Sequence, residues 1–121
     1  MVSYVNQGIL RSYCGPGDDS LVKNLFGYFK ARVPMRFESA TSALSANNNK
    51  EFKAQMHSLK NSFLNVGALG VAEECQQLED ISPRLSKEKT LLELNLLFQK
   101  FKAIESELSE MLDDNIFLQS E

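Results

Sequence analysis

A chain of 121 residues, 43% of them hydrophobic, is one domain in size and rich enough in apolar side chains to bury a core, which excludes a disordered tail. A formal charge of -3 excludes a general nucleic-acid binder, whose surface would be basic over much of the domain. Two cysteines, Cys14 and Cys75, are too few and too far apart for a zinc site or a disulfide framework, and no stretch approaches the roughly 18 consecutive apolar residues of a membrane span. The start, "MVSYVNQGILRSYCG", lacks the charged and apolar regions of a signal peptide, so the expected location is cytoplasmic.

In chain order the apolar residues recur at three and four, with three prolines and six glycines between them, and predict an all-helical chain. "GPGDDS", Gly15 to Ser20, ends a short first helix and offers Asp18 or Asp19 as the N-cap of the next. Val22, Leu25, Phe26, Phe29, Val33, Phe37, Ala40 and Leu44 then keep one stripe that passes through Pro34 in phase. This predicts a long second helix kinked near Pro34. "NNN", Asn47 to Asn49, is a turn with its own cap, and the following helix runs to about Val66. Gly67 permits a tight corner, after which Leu69, Ala72, Cys75 and Leu78, with Ile81 near the end, are expected to face inward. The last helix starts near Ser82 or Ser86. It repeats Leu94, Leu97, Phe98, Phe101, Ile104, Leu108 and Met111, as an antiparallel bundle requires, and the tail after Leu112 either frays or packs back.

The chain's one histidine, His57, lies within the third of these helices. At about 100° per residue, Phe52, Met56, Leu59, Phe63 and Val66 share one centre and define the buried face, and His57 falls roughly 140° from it. Lys53, Lys60, Asn61 and Leu64 lie four before, three after, four after and seven after it, on the same outward side. A solvated helix face that happens to hold a histidine is the bland reading. The sharper one is a nucleophile: an exposed neutral imidazole has a lone pair ready to attack a phosphoryl group, and neighbouring ammonium groups offset the charge it then carries. No second ionisable group can be placed beside His57 as acid or base from the sequence, which argues against a self-contained enzyme.

The stretch "HSLKNSFLNVGA" resembles the signature of histidine-containing phosphotransfer (HPt) domains, a histidine followed by Leu-Lys-Gly and, after some small residues, Gly-Ala or Gly-Leu. His57, Leu59, Lys60, Gly67 and Ala68 fall on that pattern. "LGVAEECQQLE" is similar to the family's next helix and "LFGYFKARVPMRFESATSALSANNNKEFKAQM" to its proline-bearing approach, so the likeness spans about residues 18 to 112. It implies an antiparallel four-helix bundle with an additional N-terminal helix, a single domain over 1–121 with its core at about 18–112. It also implies a phosphorelay intermediate in which His57 takes a phosphoryl group from a receiver-domain aspartate and passes it to another receiver, while Lys60 balances phosphate charge. One position departs: Asn61 stands where the family usually has glycine.

The chain has no metal-site grouping of its own, since Glu73-Glu74 and Asp113-Asp114 read as solvated helix ends and a lone histidine excludes a paired-histidine site. The Mg2+ that phosphoryl transfer needs is therefore expected on the partner receiver. "GPG" lacks the Gly-Lys-Ser/Thr ending of a phosphate loop, which argues against ATP as a direct donor. Expected partners are response-regulator receiver domains and a hybrid histidine kinase, with no nucleic acid and no membrane insertion, and the expected state is a monomer. Lys53, Asn61, Leu64 and Gly67, with Leu10, Tyr13 and Phe26, are expected on the docking face. The competing expectation is a pseudo-HPt scaffold that docks receivers without being phosphorylated, which Asn61 favours.

Overall fold

A computed structural model of the chain describes residues 3–6, 8 and 19–119; the side chain of Asp19 and those of residues 113–119 are not described. Among the described residues the fold is built from four helices, α1 (Asp19–Ser45), α2 (Asn49–Asn65), α3 (Leu69–Ile81) and α4 (Lys87–Gln119), with a 3₁₀ turn, Ser82–Arg84, between the last two. There is no strand among the described residues. The additional N-terminal helix, with Leu10, Tyr13 and Cys14, lies outside the described residues apart from Gly8.

The connections are short because the residues in them close the helices locally. At the end of α1, Asn47 takes a left-handed φ of 57°, and the N–H groups of Asn47 and Asn48 donate to the carbonyls of Leu44 and Ala43. Asn48 then caps the next helix, its side-chain oxygen accepting from the Glu51 N–H at 3.1 Å. The end of α2 repeats the device with Gly67 at φ 78°: Gly67 N–H donates to Leu64 O and Ala68 N–H to Phe63 O. These are the paired bonds that satisfy the last carbonyls of a helix around a residue that tolerates positive φ. Ser86 begins α4, its hydroxyl oxygen accepting from the Lys89 N–H at 3.1 Å.

Three-residue connections force antiparallel neighbours, and the side-chain register agrees. Along α1 and α4, Phe29 meets Phe101 at 5.2 Å between ring centres and Phe37 meets Phe98 at 5.3 Å, one rising as the other falls. Phe29 also packs edge-on against Phe63 of α2 at 5.6 Å. Ring pairs of this kind contribute about 0.5–1.5 kcal/mol beyond the area they bury. Val33, Ala40, Met56, Leu59, Phe63, Cys75, Phe101 and Ile104 are fully enclosed around them. Helix α1 continues unbroken through Pro34, as its in-phase stripe predicts.

The core departs from the expected one in two places. In α3, Leu69 and Ile81 are exposed and Val71 is buried with Ala72, Cys75 and Leu78. Steps of three residues lag a helical turn by about 60° each, so a stripe drawn from 69 to 81 by threes rotates off the core at both ends, whereas 71, 75 and 78 hold their face. The core also begins upstream of residue 18: Val5 is buried, Asn6 N–H donates to Gly67 O at 2.9 Å, and the Glu107 carboxylate accepts from Ser3 Oγ, Tyr4 N–H and Val5 N–H.

Candidate functional site

Helix α2 carries two faces with opposite chemistry. Phe52, Met56, Leu59 and Phe63 are each no more than 1% exposed, and Val66 at its C-cap is equally buried, so they fix the helix rotationally against α1 and α3. That rotation turns His57 outward, with its side chain 60% exposed. Lys53 and Asn61 are exposed beside it, and Lys60 and Leu64 are half-buried. The structure thus brings His57, Lys53, Lys60, Asn61 and Leu64 to one side of one helix. Gly67 is different. It is buried in the corner with its carbonyl oxygen taken by Asn6, so its contribution is the turn and not a contact surface. Phe26 is half-buried and faces α4, beside Lys30, Glu105 and Glu110, not the histidine side.

A polar chain from α3 supports the histidine. Lys60 Nζ donates to Gln76 Oε1 at 2.9 Å, and Gln76 Nε2 donates onward to Asp80 Oδ1 at 3.0 Å and Glu79 Oε2 at 3.3 Å. The other oxygen of Glu79 stands 4.0 Å from His57 Nδ1. This is too long for a direct hydrogen bond, but it is the range of an ion pair once the ring is charged. An ammonium has three donors, so the single bond to Gln76 fixes the direction of Lys60 and leaves it two more for an incoming oxygen. The ionisable neighbour that sequence reasoning could not place is therefore Glu79, supplied by the register of α3 against α2. The residue types at 76, 79 and 80 were a signal only if that register was known.

Glu74 is likewise more than a solvated helix end. Its Oε1 pairs with Lys100 Nζ at 2.5 Å, joining α3 to α4, while its Oε2 is buried with no partner among the described residues. Asp113 and Asp114 carry side chains outside the description. Cys75 is buried one residue further on, where burial first and the neighbouring Glu74 charge second push its thiol up to about 12. It is a packing residue and not a reactive thiol. Among the described residues no three His, Cys, Asp or Glu side chains group together as a metal site. No described helix is long and apolar enough to cross a membrane.

His57 is thus an exposed imidazole on a four-helix bundle, one turn from a lysine whose direction Gln76 fixes. The family model described as "Hpt domain" matches residues 24–114, and the chain belongs to that family. Neither the curated proteins nor the solved structures gave a match. Membership gives the protein a phosphorelay role in two-component signalling, as a phosphotransfer carrier that interacts with receiver domains and histidine kinases.

Proposed function

We propose that His57 is the phosphoryl acceptor of this carrier, taking the group from a receiver aspartate and delivering it to another receiver. The observation that carries the reading is the outward placement of the chain's one histidine beside Lys60 and Glu79 on a helix whose other face is locked in the core. With the Nδ1 proton directed toward Glu79, the Nε2 lone pair points to solvent and attacks phosphorus as the aspartyl P–O bond breaks and the carboxylate departs. Positive charge then builds on the ring, and the Glu79 carboxylate beside Nδ1 stabilises it. Lys60 offers its remaining N–H donors to the phosphoryl oxygens.

The partner receiver supplies Mg2+, which offsets charge on the transferring group. The bundle's part is to hold the imidazole in line, a matter of position more than of chemistry. On this reading residues 1–121 act as one unit, in the cytoplasm and as a monomer, with Lys53, Asn61 and Leu64 framing the docked receiver.

The test separates docking from chemistry. His57→Gln and the unaltered protein are titrated against receiver domains and then mixed with the same receivers after phosphorylation. Binding within about twofold of the unaltered protein, with phosphate uptake abolished, is the expected result. Equal uptake by the two proteins would contradict the assignment of His57.

A further inference from the structure

We propose that the groove between α1 and α2, beside His57, recognises the carboxylates of an acidic segment on the docking receiver domain. The groove is an open recess of about 360 Å³. Arg32 and Arg36 line its α1 side, and Ser58, Asn61, Ser62 and Asn65 line its α2 side. Among the described residues no acidic side chain lines it, although the chain as a whole carries a charge of -3. Its polar wall begins at Ser58 and Asn61, one and four residues after His57, so a protein seated over the imidazole also covers the groove.

Both arginines are unspent. Arg32 rests over the Tyr28 ring at 5.3 Å, and no carboxylate among the described residues pairs with either guanidinium. The Arg36 Nε–H is buried without an acceptor among the described residues. Placing two guanidinium groups one helical turn apart is unfavourable, and a buried donor left unmade adds to the cost. A fold that keeps both features beside its reactive side chain has them available for an anion that arrives from outside. Guanidinium forks match carboxylates in a bidentate manner, and the Ser and Asn side chains opposite can complete the acceptor's hydrogen bonds. Charge complementarity therefore selects an acidic protein surface as the occupant. Exposed Tyr28, which lines the groove on the same helix as the arginines, adds apolar contact at its rim.

This inference rests on the phosphorelay reading for the identity of the partner, and one experiment keeps the two apart. Dissociation constants for a panel of purified receiver domains are measured by calorimetry at low and high salt, with phosphate uptake from the phosphorylated receivers recorded in parallel. Arg32→Glu/Arg36→Glu is expected to weaken binding about tenfold or more at low salt and to flatten the salt dependence. Arg32→Lys/Arg36→Lys retains most of the affinity. Arg84→Glu/Lys89→Glu, an equal charge change outside the groove, leaves it within about twofold.

Equal affinity of the groove variant and the unaltered protein would overturn the groove assignment, as would an equal loss in the Arg84/Lys89 control or a panel without any binder. Phosphate uptake with arginine-independent binding would overturn the groove alone. Arginine-dependent binding without phosphate uptake would support the groove and overturn the carrier reading alone.

Discussion

His57 can be changed without disturbing the fold, because a side chain 60% exposed contributes little packing. Thermal stability of His57→Gln is accordingly expected within about 0.5 kcal/mol of the unaltered protein. Glu79→Ala removes the carboxylate that stands 4.0 Å from Nδ1 and stabilises the ring as it becomes charged. Phosphoryl transfer should slow, by up to about a hundredfold, with receiver affinity unchanged. Rapid-quench transfer measured beside calorimetric binding distinguishes this from a docking defect, and an unaltered rate would remove Glu79 from the account. Lys60→Ala should slow transfer as well and shorten the lifetime of the phosphohistidine. Cys75 gives a pH prediction. Its folded pKa is raised to about 12 from the 9.0 of an unperturbed thiol, so the folded chain holds a proton that the unfolded chain loses. The thiol thus does not weaken the fold below pH 9.0 and lowers stability as pH rises from there through about 12. At pH 8 the native protein should leave Cys75 unalkylated by iodoacetamide, and denaturant should expose it; peptide mapping separates it from Cys14.

At the scale of the element, α2 was the most legible part of the sequence. Large apolar residues at 52, 56, 59, 63 and 66 admit only one buried arc, so the exposure of His57 followed from geometry before any contact was known. The caps were legible too: Asn47 and Gly67 stand where positive φ is required, and Asn48 where a side-chain acceptor is. Gly67→Ala should cost about 1–2 kcal/mol, since a Cβ is disfavoured in the left-handed region. Denaturant melts read this directly, and a stability equal to that of the unaltered protein would mean that the corner relaxes by another route. Helix α3 is misjudged at its ends because alanine and cysteine give a weak stripe, and an apolar residue at either extreme, Leu69 and Ile81, looks like its continuation. Exposed Leu69 and Ile81 show that hydrophobicity alone does not set a face; phase does.

For the molecule as a whole, what the sequence concealed was register. Which α3 residues stand beside His57, and which α1 residues wall the groove next to Asn61, depend on how antiparallel helices slide against one another, a quantity that no single helical pattern contains. Glu79 and the Arg32–Arg36 pair were invisible for that reason. The N-terminal contact was hidden in the same way, since Glu107 reads as an ordinary exposed acid until Ser3, Tyr4 and Val5 come to rest on it. Glu107→Ala should cost about 1–3 kcal/mol by leaving backbone N–H groups without their acceptor. Faster amide exchange at Tyr4 and Val5 is the accompanying signature, and unchanged exchange would show that other contacts hold the segment.

The most direct test of the central claim is intact mass at neutral pH after mixing the protein with magnesium and phosphorylated receiver domains. The account predicts one added phosphoryl group, labile in acid, mapped to His57 and absent from His57→Gln. A phosphoryl group found on another residue, or none acquired from receivers that bind, would contradict it.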